Sequence, residues 1–387
     1  MKTNVYVVKC ESYEKADEKI NELLNLMGGM SQFAKKGEKI TLKANLLGAV
    51  PPEKAVSTHP SIVAAVGKLA KKEGAVPLIA DSPGSGYLYN EATLKKLYKT
   101  CGMYDAAEQA GIEVNMDTGY ERVSFPQGKL MKQIDVIKPI TQADAVINIC
   151  KMKTHLFMHM TGAVKNHFGI IPGLSKVGFH AKLFDKERFA DMLLDLSLYV
   201  APRLTIMDAV LAMEGEGPGA SGTPRHVGLL LASTSDLALD VVAGEIMGLP
   251  FDHNPVLMAA KRREVSPYKI EDVNIIGGEL SSLKISDYKF PSTVKGFSKT
   301  VEKNLFVRNM LKSALTKYPV AAKGRCTGCG MCAAACPQKM ITMVTQKGKK
   351  KADINLKDCI RCYCCHELCP HKAIDIKSRF IYKALRI

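Results

Sequence analysis

Eight cysteines near the C-terminus are spaced for chemistry. Cys326, Cys329, Cys332 and Cys336 follow the pattern C-x2-C-x2-C-x3-C, closed by Pro337, and Cys359, Cys362, Cys365 and Cys369 repeat it, closed by Pro370. Three thiolates, each separated from the next by two intervening residues, wrap one corner of an iron–sulfur cubane, and the proline after the fourth turns the chain away. In this doubled run the fourth cysteine of each motif serves the other cluster. The spacing therefore predicts one [4Fe–4S] site from Cys326, Cys329, Cys332 and Cys369, and a second from Cys359, Cys362, Cys365 and Cys336. A disulfide framework would need an oxidising compartment, and a zinc site rarely uses this doubled spacing. Cys364 is an extra thiol between two ligands. It is expected to pack as a small residue, or to swap in for a damaged ligand.

A second constellation occupies residues 148–180. It holds Lys151, Lys153, Lys165 and Lys176 with His155, His159, His167 and His180, and no Asp or Glu occurs between Asp144 and Asp185. A positive, histidine-bearing stretch without acids reads as a pocket for a small anionic substrate. In that reading Lys153, Lys165 and Lys176 hold the anion, and His155 or His180 donates a proton from an imidazole titrating near neutrality. His155 and His159 would share a face if helical, but no Cys, Asp or Glu is placed to complete a metal site. Lys43, Asn45, Asp208 and Glu214 end or follow other strand-like runs and are expected to line the same pocket, with an additional organic cofactor left open. The Gly-rich segments after Asp81 and Glu214 have neither the Walker A nor the G-x-G-x-x-G spacing.

Alternating elements must position these groups. Apolar or β-branched runs at 4–9, 39–47, 76–81, 143–149, 203–208 and 227–233 read as strands. Amphipathic runs at 13–35, 60–73, 90–110, 186–200 and 234–248 read as helices, Thr58 or Ser61 capping the second, and 113–140 reads as a hairpin region. The fold class is α/β: a mostly parallel sheet flanked by helices, with a small α+β ferredoxin-like two-cluster domain. The expected division is a body over 1–280, a basic helical connector over 281–322 and the cluster domain over 323–387. Within the connector, Phe297, Val301, Leu305, Val307, Leu311 and Leu315 form an apolar stripe among lysines and arginines. Such a helix packs the tail onto the body, or docks on a membrane or an acidic partner.

Charge divides the 387-residue chain in the same way. Residues 1–280 hold 32 basic and 32 acidic side chains, whereas 281–387 hold 22 and 6, so the net +16 belongs to the tail. Two oxidised all-thiolate clusters would lower the tail to about +12. A basic electron-transfer tail attracts an acidic carrier of the ferredoxin or flavodoxin type. Nucleic acid is disfavoured, since no helix-turn-helix, RNA-binding aromatic signature or zinc finger accompanies the charge. No transmembrane segment is expected, and the charged N-terminus leaves no secretory apolar run, so a cytoplasmic location is expected.

The body motifs carry a family resemblance. Lys43-Ala-Asn45, Thr58-His59-Pro60, Asp81-Ser-Pro-Gly84, Lys151-x-Lys153-Thr154-His155, Thr161-Gly162-Ala-Val-Lys165-Asn166, Phe168-Gly169, Lys176, His180, Asp208 and Glu214-Gly215-x-Gly217-Pro218 resemble the domain of unknown function numbered 362, across roughly 5–280. The resemblance implies that family's common architecture, with a two-cluster ferredoxin domain attached. More distantly the fold is similar to nickel-dependent lactate racemase-like proteins, where His and Lys hold a cofactor and move protons. The leading expectation is an anaerobic, ferredoxin-coupled oxidoreductase. The alternatives are a non-enzymatic electron-transfer or redox-sensing subunit, and a racemase-like or isomerase-like body with auxiliary clusters.

Overall fold

The computed structural model describes residues 2–84, 86–294, 317–322, 324–346 and 348–377. The apolar stripe expected from Phe297 to Leu315 lies outside the described residues. The body begins β1 (Thr3–Lys9), α1 (Ala16–Asn25), β2 (Lys39–Lys43), α2 (Pro60–Lys72), β3 (Val76–Ala80), α3 (Glu91–Thr100), α4 (Met103–Ala110), β4 (Glu113–Val114), β5 (Tyr120–Ser124), β6 (Gln133–Ile137) and α5 (Lys138–Thr141). It continues with β7 (Ala145–His155), β8 (His159–Thr161), α6 (Ala163–Asn166), α7 (Ser175–Lys182), α8 (Lys186–Val200), β9 (Leu204–Gly215), β10 (Gly222–Ser233), α9 (Asp236–Met247), α10 (Pro255–Arg262), β11 (Val273–Ile276) and α11 (Leu280–Leu283).

The main sheet has the order β11-β1-β10-β9-β7-β2-β3-β4, with β8 returning beside β7. The pairs β9–β7, β7–β2, β2–β3 and β3–β4 are parallel, while β10 runs antiparallel to both its neighbours. The connection from β2 leads through α2 to β3, and that from β7 leads through α6 to α8 to β9, on the other side. The order therefore reverses between β2 and β7, and the crevice at the carboxyl ends of those strands is where open α/β sheets place ligands. Two cores cover the two faces. α1, α2, α3 and α4 pack Ile20, Leu23, Ile62, Val66 and Leu97 on one; α8, α9 and α10 pack Phe189, Leu193, Val242 and Leu257 on the other.

Several elements depart from the sequence pattern for identifiable reasons. β2 ends at Lys43 rather than running to Leu47, because the Leu46 amide turns to donate to Asp81 (2.6 Å). The helical run 90–110 breaks at Gly102, whose φ of 70° suits glycine. His59, not Thr58 or Ser61, caps α2: its ring nitrogen accepts from the Ser61 amide. β7 continues through Lys151–His155, so His155 and His159 pair across a β-turn instead of sharing a helix face. No helix among the described residues is long and apolar enough to cross a membrane.

The C-terminal domain comprises β12 (Tyr318–Ala321), α12 (Met331–Ala334), β13 (Ile341–Gln346), β14 (Lys349–Ile354), α13 (Cys364–Glu367) and β15 (Ile374–Lys377). β12 pairs with β15 and β13 with β14, both antiparallel. The domain docks on the strand-end crevice. A Cβ at Gly219 would collide with the Glu367 carbonyl, and one at Gly86 with Leu368 and Ala335, so bare backbone permits the approach.

Candidate functional site

The cysteines gather around two cavities. Cys326, Cys329, Cys332 and Cys369 line one. Cys336, Cys359, Cys362 and Cys365 line another. Among the described residues no three His, Cys, Asp or Glu side chains converge closely enough for a single metal ion. Four thiols spread around a cavity suit a polynuclear cluster rather than one ion. Backbone amides already point at the sulfurs: Met340 donates to Cys336 (3.2 Å), Ala373 to Cys369 (3.2 Å) and Ala352 to Cys326 (3.4 Å). Such N–H···S bonds stabilise thiolate charge and help set a cluster's potential. Cys329 is exposed, and the lysine-bearing strand β14 lies beside it, Gly328 resting against Lys350. Cys364 is buried, and the neighbouring Cys362 thiol together with burial raises its pKa well above the usual thiol range.

Among the candidate polar residues of the crevice, two lysine–aspartate pairs are buried, and a further group of side chains lies beside them. At the end of β2, the Lys43 ammonium meets Asp81 (2.8 Å), the Ala44 carbonyl (2.8 Å) and Asn166 (3.2 Å). On β7, Lys151 meets Asp208 (2.7 Å) and Tyr13 (2.9 Å), and Tyr13 stacks on His59 at 3.5 Å. These pairs balance their own charge, so Lys43 and Asp208 are pillars of the crevice rather than free binding groups. Gly169 lies against the first pair, and a Cβ there would overlap Asp81 and the Lys43 ammonium. Gly169→Ala is expected to cost about 3 kcal/mol or more, the range for breaking a buried ion pair. A lower urea midpoint at unchanged m-value checks it.

Lys176 is also engaged. Its ammonium donates to the carbonyls of Ser82 (3.1 Å) and Pro83 (2.7 Å) and to the Ser82 hydroxyl (2.8 Å). Glu214 lies elsewhere, accepting from the Lys289 amide (3.2 Å) beside Arg225 (3.7 Å). Glu214 is not brought to the remaining cluster of Lys153, His155 and Lys165, whereas Lys176 lies within electrostatic reach of Lys165 but is bonded to its Ser82 and Pro83 acceptors. Lys153 donates to Asn45 (2.6 Å) and to the Val56 carbonyl (2.6 Å). Burial and then the Lys165 charge push its pKa down to about 7. The Lys165 ammonium stands 5.8 Å from the centroid of the Phe168 ring and hydrogen-bonds to no described residue.

The two histidines differ from the expected proton donors. The amides of Phe157 (3.0 Å) and Met158 (3.1 Å) both donate to His155 Nδ1, which assigns the ring proton to Nε2. Burial, reinforced by Lys165, holds His155 well below the usual imidazole range. His180, stacked on Phe189 at 4.7 Å, is pushed by burial to about 3. Both are therefore neutral at pH 7, able to donate a hydrogen bond but without an imidazolium proton to give. His155 Nε2 and His180 Nδ1 are buried without a partner among the described residues, a condition that costs about 1–3 kcal/mol per group.

The residue that completes the cluster comes from the other domain. Glu367, at the end of α13, sits 3.7 Å from His155 Nε2 with its side chain 9% exposed, and it is felt electrostatically by Lys165 and Lys153. The sequence reading missed it because it lies over 200 residues from β7. Its signal was nonetheless present: it is the sole acid between Cys359 and Cys369 in a basic tail. Asp81, Asn166 and Tyr13, which hold the pillars, were likewise not assigned to the site.

Comparison with known proteins follows this division. The profile of the domain of unknown function DUF362 matches residues 40–245, and that of a 4Fe-4S dicluster domain matches 325–373. The chain is 33% identical over 280 residues to the Thylakoid-associated protein sll1697 of Synechocystis, covering 70% of this chain and 83% of that protein. Among solved structures, the lactate racemase apoprotein from Thermoanaerobacterium thermosaccharolyticum aligns at 14% identity with a TM-score of 0.38, over 60% of this chain and 54% of that one. The chain is an iron–sulfur protein of the DUF362 family, its family body joined to a C-terminal 4Fe-4S dicluster domain.

Proposed function

We propose that this protein is a ferredoxin-coupled oxidoreductase that reduces a small anionic substrate at the Lys153–His155–Lys165 cluster. Two [4Fe–4S] clusters would be held, one by Cys326, Cys329, Cys332 and Cys369 and one by Cys336, Cys359, Cys362 and Cys365. The observation that carries the reading is the position of Glu367. It lies 3.7 Å from His155 and two residues from both Cys365 and Cys369. Two residues of chain span at most about 7 Å, so cluster ligands stand beside the body's polar site.

The stoichiometry is consistent. Reducing a carbonyl or a carbon–carbon double bond takes two electrons and two protons, and each cluster supplies one electron when bound. Lys165 holds the anionic group and His155 Nε2–H polarises an acceptor oxygen. Lys153, with a pKa of about 7, delivers one proton, and the other comes from solvent. Electrons enter where Cys329 is exposed beside the basic β14, a surface that fits an acidic ferredoxin-type or flavodoxin-type carrier. Cluster ligation needs reduced thiols, which suits the cytoplasm.

Burial of the site beneath the C-terminal domain favours one alternative, a non-enzymatic electron-transfer subunit whose body recognises only protein. Anaerobic assays with reduced carrier and a library of small organic anions decide between the two. Turnover that Lys165→Ala abolishes supports the reductase. Normal cluster reduction with no turnover and no ligand binding supports the subunit. Turnover equal with oxidised and reduced clusters would instead point to an isomerase.

A further inference from the structure

We propose that Lys153, His155 and Lys165 form a carboxylate-binding site, and that Glu367 is its resident occupant, displaced when a small organic carboxylate enters. The inference names the substrate class for the reductase reading and rests on that reading for the purpose of the site, though not for its existence. A carboxylate buried between domains requires compensating donors. Glu367 has them nearby, yet the 3.7 Å to His155 Nε2 exceeds hydrogen-bond length. His155 Nε2–H beside this carboxylate, and the Lys165 ammonium within electrostatic reach of it, make no hydrogen bond to any described residue. An acceptor and two donors thus converge without closing.

The tether explains the gap. Glu367 is fixed on α13, whose approach is limited by backbone contacts at Gly219 and Gly86. A free carboxylate has no such limit and can reach both donors at bonding distance. The rings of Phe157, Phe168 and Phe189 stand around His180 nearby and offer an apolar wall for a short carbon chain. The charge also fits a monoanion, since Lys153 is only partly protonated at neutral pH. Because Glu367 moves with α13, ligand entry shifts the helix that carries Cys364 and Cys365.

Calorimetric titration of anaerobically reconstituted full-length protein with sodium acetate tests the site. Glu367→Ala should bind acetate about tenfold more tightly than wild type, because a tethered competitor at high effective concentration is gone. Glu367→Gln, which preserves shape, should fall between them and keeps the test valid if the alanine variant fails to assemble. Adding Lys165→Met to either variant should erase the gain, with iron content confirming assembly. Equal acetate affinity in wild type and both Glu367 variants would overturn the site, as would a gain that survives Lys165→Met. Inorganic phosphate binding as tightly as acetate would overturn the carboxylate class. Acetate binding without turnover of any carboxylate leaves the site standing and removes the reductase reading. Turnover insensitive to acetate does the reverse.

Discussion

Cys365→Ala should remove roughly half of the bound iron and acid-labile sulfide and abolish electron delivery to the body, in the proposed two-cluster arrangement. Cys365 is buried, lines the cavity with Cys336, Cys359 and Cys362, and lies on the same helical turn as Glu367. Its loss leaves three of the four thiols of that proposed site and removes one of the two proposed ligands nearest in the chain to Glu367. The neighbouring Cys364 complicates the single variant, since it is a buried thiol adjacent to Cys365 in the chain and on the same short helix. A single variant that keeps its iron while Cys364→Ala/Cys365→Ala loses half would show the neighbour standing in. Full iron and full turnover in the double variant would remove these residues from the cluster and from the electron path. Iron and sulfide determination with anaerobic carrier-linked turnover reads both outcomes.

How much could be read in advance depended on whether the signal was local. The cysteine spacing is a covalent constraint on a few residues, and it carried the dicluster domain directly. The parallel body was legible because apolar strands and amphipathic helices alternate with different periods. Strand ends were less legible. β7 and β9 extend well past their apolar cores because Lys151 and Asp208 pair across them, turning charged residues into strand interior. The site was half legible for a related reason. Lys153, His155 and Lys165 lie within thirteen residues, but what separates His155 and Lys165 from Lys43 and Lys176 is partnering. Asp81 and Ser82 engage the latter two, and Asn45 and the Val56 carbonyl engage Lys153, through tertiary contacts that sequence spacing does not record. That leaves Lys165 and His155 Nε2 as the groups of this cluster unpartnered among the described residues. Glu367 is the extreme case, a cross-domain contact with a distant segment. Burial also inverted the roles first assigned: desolvation makes the imidazoles too weakly basic to be charged, while the same effect brings a lysine into the neutral range.

That inversion makes Lys153 the side chain whose replacement should remove proton delivery from the proposed chemistry. Lys153→Met should lower turnover by about 10²–10⁴-fold, the usual contribution of a positioned proton donor. The wild-type rate should fall as pH rises through about 7, because the reactive form is the ammonium. Lys165, Glu367, Lys151 and Asp81 set the field around it. Lys176 and Asp240 also have pKa values near 7, so a limb that persists in Lys153→Met would belong to one of them and would displace Lys153 from the role. Stability supplies a second, independent readout with the opposite slope. The lysine titrates near 7 folded but at about its ordinary 10.5 unfolded. Above pH 7 the unfolded chain therefore holds a proton that the native state has released, and stability rises with pH by up to about 1.4 kcal/mol per unit. Between pH 7 and 9 the thermal midpoint of wild type should gain on that of Lys153→Met as pH increases, while its turnover declines. A constant difference between the two midpoints would mean the ammonium is not depressed by burial, and the proton-donor role would fall with it.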